Sequence, residues 1–309
     1  MLKAHILITN NETTIAKAIE SLLPLECEII VGDMASSDRT PQICSEYGIK
    51  VVQTGKREIS EIRNSLLGKE WNFYIHPWEV LATGHDEIKA IDTKKAYNIQ
   101  IYKKSIISYE IRLWRGAIFK NPIYETIKCN SNDVLSKSII HAKLSTYYFE
   151  DVLSKIREWD DETMSLEASY YKAFALLEKR KFQEFMVIAE HYLALDSQSL
   201  SAIMMRYYLA QVQIQIYGNA SKSVRNTLIC IATKPLMAEF WCLLGDIYYK
   251  QKIYKKARSF YETAITLGQQ RLKLDLWPVE IVKYEKYPSQ MIANIDQILT
   301  ESKLFELSS

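Results

Sequence analysis

The stretch Cys27-Glu28-Ile29-Ile30-Val31-Gly32-Asp33-Met34-Ala35-Ser36-Ser37-Asp38-Arg39-Thr40-Pro41 decides how the first half of the chain is read. Its apolar run, Cys27 to Val31, has the length of one buried strand. The small and polar residues from Gly32 onward form a loop ending in a capped helix with proline in its first turn, which carries Ile43, Cys44 and Tyr47. The same order precedes it: Ala4 to Thr9 is a short apolar run, Asn10-Asn11-Glu12-Thr13-Thr14 a polar loop, and Ile15, Ile19, Leu22 and Leu23 recur at helical spacing. A third strand, Ile49 to Gln53, a helix from about Ser60 to Leu67 and a fourth strand, Trp71 to Ile75, continue the rhythm, and Pro77 ends the last of these because it has no N–H for the ladder. Alternation of this kind predicts βαβ units and a mostly parallel sheet, whose ligands bind beyond the carboxyl ends of the strands. The loops Asn10 to Glu12 and Asp33 to Asp38 both lie at that edge. Shorter strand-like runs, Ala96 to Tyr102, Tyr109 to Trp114 and Ile139 to Leu144, close an α/β domain over residues 1–150.

Beyond that point glycine is scarce and the apolar period turns helical. Trp241, Leu244, Gly245, Tyr248, Ala257, Tyr261 and Ala264 stand at the tetratricopeptide spacing W-x2-L-G-x2-Y, then A-x3-F/Y, then A. Gly245 and Ala257 let two helices approach, and Trp241, Tyr248 and Tyr261 fill the space around them. Pro235 falls where a preceding repeat should end. Weaker units cover Tyr207 to Cys230 and Tyr170 to Leu195, the latter with Lys179-Arg180-Lys181-Phe182 in the position of Lys250-Gln251-Lys252-Ile253. About three repeats are enough to stack. Residues after about Gly268, including Trp277-Pro278 and Tyr284-Glu285-Lys286-Tyr287-Pro288, form a terminal cap. Residues 151–309 are therefore expected to be all helical, a scaffold whose concave face can dock a peptide or protein.

Composition bounds the rest. The chain has 309 residues, longer than one usual domain, with 48% hydrophobic residues, which supports two cores. Its 39 basic and 37 acidic residues leave a formal charge of +2 without long blocks of one sign, which argues against nucleic acid or an anionic membrane as partner. Five cysteines, odd in number and without a C-x-x-C pair, point away from a disulfide framework or structural zinc and towards a reducing, cytoplasmic setting. No run of apolar residues is long enough to span a membrane. The phosphate-loop, dinucleotide, serine-hydrolase and H-E-x-x-H patterns do not occur.

Four blocks carry a resemblance. Ile8-Thr9-Asn10-Asn11-Glu12 is similar to the first-strand motif ending in Asn-Glu of family 2 glycosyltransferases of the GT-A (Rossmann-like) fold. The stretch from Glu28 to Thr40 resembles their E-I-I-V-V-D-T-G-S-T-D-R-T, Ser60-Glu61-Ile62-Arg63-Asn64 their S-E-A-R-N, and Trp71 to Leu81 their W-I-L-W-L-D-A-D-E-V-L. Members fused to tetratricopeptide repeats include peptide and protein glycosyltransferases. The resemblance implies a nucleotide-diphosphate sugar as donor, with Thr9, Asn11, Glu12 and Asp33 lining the base and ribose pocket. The residues by themselves also permit Asp33, Ser36 and Asp38 to build the turn and cap the following helix, and Asp38 and Thr40 are read that way.

The departures matter as much. The family's Asp-x-Asp holds a divalent cation against the diphosphate, and here His76 and Trp78 take its two places. A later His-Glu becomes Tyr124-Glu125. No metal ligand or other cofactor is therefore assigned. Diphosphate charge would be offset by Lys56, Arg57, Arg63 or His76, Trp78 would stack on a sugar or base, and Glu79 or Glu125 would deprotonate the acceptor in an inverting displacement. The contending expectation is a non-catalytic chain in which a degenerate transferase domain and the repeats form a platform for protein interaction.

Overall fold

A computed structural model describes residues 2–55, 58–91, 96–103, 106–120, 126–127, 133–142, 166–271 and 278–308. The chain divides into two compact units, Met1–Thr146 with Leu276–Val279 and Tyr147–Asp275 with Glu280–Ser309. The boundary expected near residue 150, the strand end at 143–144 and the cap residue Trp277 lie outside the described residues.

The first unit begins β1 (Leu2–Ile8), α1 (Ile15–Leu22), β2 (Glu28–Asp33), α2 (Thr40–Glu46), β3 (Lys50–Gln53), α3 (Ile59–Leu66) and β4 (Trp71–Tyr74). It continues β5 (Glu79–Thr83), α4 (His85–Lys89), β6 (Ala96–Lys103), β7 (Ile106–Trp114), β8 (Phe119–Lys120), β9 (Thr126–Ile127) and β10 (Val134–Ala142). The main sheet follows the order β3-β2-β1-β4-β7-β6-β10-β5, and β8 pairs with β9 in a separate ribbon. Strands β3, β2, β1 and β4 are parallel. Buried on both faces, β1 and β2 read as near-continuous apolar runs, and Ile6, Ile8, Val31 and Phe73 join Ile15 and Ile19 of α1 in the core.

The second half of the sheet corrects the expectation of a mostly parallel one. β7 runs antiparallel to both β4 and β6. Only residues 104–105 separate β6 from β7, far too few for a parallel crossover, so the pair must close as a hairpin. β6 therefore ends at the same edge as β4. The strand and short helix after Pro77 were not anticipated: β5 turns back and pairs antiparallel with β10 at the sheet edge.

In the second unit α5 (Leu166–Glu178) packs on α6 (Phe182–Leu195), α7 (Leu200–Gln215) on α8 (Ala220–Thr233), and α9 (Ala238–Lys250) on α10 (Tyr254–Gly268). A Cβ built on Gly245 would stand 2.7 Å from the Tyr261 ring, so the crossing of α9 and α10 requires glycine there. The indole N–H of Trp241 donates to the Pro235 carbonyl at 2.7 Å, tying the repeat to the residue that precedes it. Lys250 donates through Nζ to the carbonyls of Ile214 (3.1 Å) and Gln215 (3.2 Å), capping the C-terminus of the previous repeat's first helix.

The helix turns also correct the repeat register by one residue. Arg180 (φ 57°) and Lys252 (φ 59°) are the left-handed residues that end α5 and α9, and Phe182 and Tyr254 open the helices that follow. Phe182 thus matches Tyr254, not Ile253. The cap is α11 (Lys286–Ser308), with Pro288 in its first turn, where a missing N–H costs nothing. Among the described residues no helix is long and apolar enough to cross a membrane.

Candidate functional site

Register places the first two loops side by side, because Ile8 pairs with Asp33 where β1 and β2 end. Their side chains lace them together. Asn10 accepts from the Ser37 N–H (2.8 Å), Asp38 from the Glu12 N–H (3.1 Å), Glu12 from the Arg39 N–H (3.2 Å) and Thr40 Oγ1 from the Asn11 N–H (2.7 Å). Asp38 also accepts from its neighbour Thr40 through both N–H (3.0 Å) and hydroxyl (2.5 Å), the arrangement of an Asx turn. Asn11 turns its Oδ1 back to the Thr9 N–H at 2.7 Å, and the Thr9 hydroxyl donates to the Ile8 carbonyl at 2.8 Å.

Asp33 is 1% exposed, and its two oxygens accept from the Ser36 N–H (2.9 Å) and from Gln53 Nε2 (2.8 Å). Within these loops it is a buried pillar, while Thr9 and Glu12 are exposed and Asn11 half-buried. Ala35 sits at φ 68°, a left-handed conformation that disfavours a Cβ, at the place of glycine in the family pattern.

Beyond β4 the chain makes a turn through Pro77. The rings of His76 and Trp78 stack at 4.8 Å with planes 3° apart. The Glu79 N–H donates to the His76 carbonyl (2.9 Å), and its carboxylate accepts from the His76 N–H (2.8 Å), so Glu79 closes the turn on itself. The same carboxylate accepts two bonds from the Arg112 guanidinium, at 2.8 and 2.9 Å, with both side chains 1% exposed. Arg112 donates further to Glu110 (2.9 Å) and reaches the Tyr74 carbonyl (3.5 Å), and Lys103 stands 3.8 Å from the other Glu110 oxygen. Burial works against the Arg112 charge, but Glu79 and the other anionic neighbours outweigh it and hold its pKa above the usual guanidinium value.

Arg63 of α3 is also buried, its guanidinium 4.6 Å from the centre of the Tyr74 ring and 5.3 Å from that of Phe119. His5 lies beneath, among Tyr74, Trp114 and Phe119, and neither of its ring nitrogens has a hydrogen-bond partner. Burial first, then the charges of Arg112, Arg63 and Lys103, push the His76 pKa well below the usual histidine value.

These positions revise three of the expected roles. His76 is neutral near pH 7 and carries no charge to offset a diphosphate. Glu79 has both oxygens committed to Arg112 and almost no exposure, so it is no general base in this arrangement. Arg63 is packed against aromatic rings, not presented at the surface. Glu125, Lys56 and Arg57 lie outside the described residues. The pair His76 and Trp78 does not offer the hard oxygen ligands a divalent cation needs, and among the described residues no three His, Cys, Asp or Glu side chains group as a metal site.

Arg112 is the residue that the motifs did not reveal. Its signal was periodic: Glu110 and Arg112, two apart in a strand, share one face of a largely apolar segment. A cavity of about 730 Å³, lined by Gly84, His85, Glu87, Tyr97 and Lys137, opens where β5 ends, at the opposite edge of the sheet from the loops.

The helical unit has its own buried polar centre. Glu239, 2% exposed, accepts from the Glu280 N–H and the Tyr284 hydroxyl, both at 2.8 Å, with Arg271 at 3.9 Å. Burial raises its pKa to about 7. Tyr207 donates to the Glu280 carboxylate at 2.7 Å, and Asp246 accepts from Tyr261 (2.6 Å) and Tyr287 (2.5 Å). Lys283 lies 3.7 Å from Asp246 and 3.6 Å from the centre of the Tyr287 ring. The segment after residue 279 is thus fastened to α9 by polar contacts at Glu239 and Asp246.

Two family models match separate stretches of the chain. The family model of glycosyl transferase family 2 matches residues 4–67, from β1 through α3, and that of the tetratricopeptide repeat matches residues 238–270, α9 with α10. The first unit is thus an α/β unit with the family 2 pattern at its start, and the second is all helical, of tetratricopeptide type. MamA from Desulfovibrio magneticus RS-1 is similar at 19% identity and TM-score 0.38, over 52% of this chain and 88% of that one. The Sgt2 tetratricopeptide domain from Aspergillus fumigatus is similar at 12% identity and TM-score 0.35, over 45% and 81%. The Yersinia enterocolitica type III secretion chaperone SycD, in complex with a peptide of the translocator YopD, is similar at 16% identity and TM-score 0.37, over 45% and 97%. No curated protein matches the chain.

Proposed function

We propose that the first unit binds a nucleotide-diphosphate sugar at the carboxyl ends of β1, β2 and β4, and that the chain is a glycosyltransferase-like protein whose helical unit docks a peptide or protein. The observation that carries this reading is the family 2 match across β1 to α3, which includes both laced loops and the buried Asp33 between them. The side chains left to meet a nucleotide are Thr9, Asn11 and Glu12 at the loop surface, with Trp78 as a stacking ring. In an inverting transfer the acceptor's nucleophile attacks the anomeric carbon, the nucleoside diphosphate leaves with the bonding electrons, and a carboxylate takes the acceptor's proton. With Glu79 committed to Arg112, Glu125 is the carboxylate assigned to that step. The acceptor is a peptide, protein or glycan. The free thiols Cys27, Cys44, Cys230 and Cys242 suit a reducing, cytoplasmic location.

A second reading is favoured by the engagement of Glu79: a domain that keeps the fold and has given up transfer, serving with the repeats as an interaction platform. Isothermal titration calorimetry against UDP, GDP, CDP and dTDP, in EDTA and in manganese, separates the two. Binding of one nucleotide in EDTA supports the donor site. No binding at millimolar concentration in either buffer leaves the platform.

A further inference from the structure

We infer that Arg112 is a cation built into the chain, filling the oxygen cage that a divalent ion would otherwise occupy. The inference rests on the reading above only in locating the family's metal motif at residues 76–78. The cage is made of four contacts: the guanidinium meets Glu79 Oε2 at 2.8 Å, Glu79 Oε1 and Glu110 Oε2 at 2.9 Å, and the Tyr74 carbonyl at 3.5 Å. Carboxylates and a backbone carbonyl are the donors that magnesium, calcium and manganese prefer.

The charges agree as well. Two carboxylates would be balanced by one divalent ion, and here Arg112, with Lys103 3.8 Å from Glu110, supplies the same two positive charges from side chains. Meanwhile the two motif positions hold stacked aromatic rings, which offer no such donors. Buried, and with both terminal nitrogens engaged, Arg112 cannot itself reach a diphosphate. It acts as a positioning residue: it holds Glu79, Glu79 closes the turn through the His76 N–H, and the turn presents the His76–Trp78 stack.

The test is thermal unfolding of the full chain in EDTA and in millimolar magnesium, calcium or manganese. The wild type should unfold at the same temperature in every buffer. Removing the guanidinium with Arg112→Ala leaves the buried Glu79 carboxylate uncompensated beside the half-buried Glu110, and a divalent ion should then raise the unfolding temperature by several degrees, saturably, with no such rise in Arg112→Ala/Glu79→Gln. Arg112→Lys, which keeps a tethered cation, should stay indifferent to metal. If Arg112→Ala does not fold in EDTA, Arg112→Gln takes its place, and recovery of either variant by refolding with a divalent ion supports the cage. Variants that fold and ignore all three ions, variants that no ion recovers, or a wild type stabilised by manganese through Glu79, each overturn the proposal. Because the readout is unfolding, nucleotide binding can fail while this inference stands, and the reverse.

Discussion

Glu239 makes the helical unit sensitive to pH in a direction that can be worked out beforehand. Its carboxyl group is buried under Glu280 and Tyr284 and titrates at about 7, against the ordinary 4.5. A carboxyl whose folded pKa lies above its unfolded one binds its proton more tightly when folded. Its contribution is full below pH 4.5, declines as pH rises towards 7 and is gone above it. At about 1.4 kcal/mol per pH unit, the gap amounts to about 3 kcal/mol, or roughly 6–12 °C in melting temperature for a unit of this size.

The perturbation is Glu239→Gln, which keeps the volume, still accepts from the Glu280 N–H and can donate to the Tyr284 oxygen. The assay is helical circular dichroism at 222 nm during heating, at intervals from pH 4 to pH 8. Other groups titrate in both proteins, so the quantity to read is the difference between the two profiles. It should open across pH 4.5 to 7, with the variant gaining on the wild type, and stay constant above. Profiles that run parallel through that window would refute the reasoning, since no proton would then be held preferentially by folded Glu239.

Two further substitutions test backbone and packing. Ala35→Gly should stabilise the first unit by about 0.5–1 kcal/mol in urea unfolding, because glycine adopts the left-handed conformation at φ 68° without the Cβ penalty and gives back only part of the gain in chain entropy. Gly245→Ala should destabilise the helical unit by about 1–2 kcal/mol: overpacking against the Tyr261 ring at 2.7 Å outweighs the helix propensity of alanine, and the ring is pinned by its bond to Asp246. Equal or higher melting temperature in that variant would show that the α9–α10 crossing yields more easily than its geometry indicates.

Local chemistry made the first four strands and the intervening helices legible, since each apolar run is punctuated by polar residues, glycine or proline. The tetratricopeptide unit at 238–270 was equally plain, because Gly245 and Tyr261 are complementary in size and fixed in spacing. What escaped was non-local. The antiparallel course of β7 depends on which strand it pairs with, and β5 follows a proline that otherwise reads as a stop. For the site, the motif positions were found but their partners were not: Glu79 looks like an available carboxylate until Arg112, thirty-three residues on, is seen to hold it. Likewise the charge on His76 could not be judged without its burial and the guanidinium and ammonium groups around it. The one-residue slip in the repeat register has the same origin, for Arg180 and Lys252 adopt left-handed backbone without the glycine that usually advertises it.

The Glu79–Arg112 pair also constrains the routes by which the gene can change. Lose the arginine alone, and the buried Glu79 carboxylate is left without its cation. Lose the glutamate alone, and among the described residues the buried guanidinium keeps only Glu110 as a direct anionic partner. Either single step costs several kcal/mol, on the order of 3–5, a large part of what a domain has in hand. Aspartates placed at 76 and 78 would add negative charge to a turn already held by one. Each member of the pair therefore protects the other from single replacement, and change at either requires coordinated substitutions on two strands.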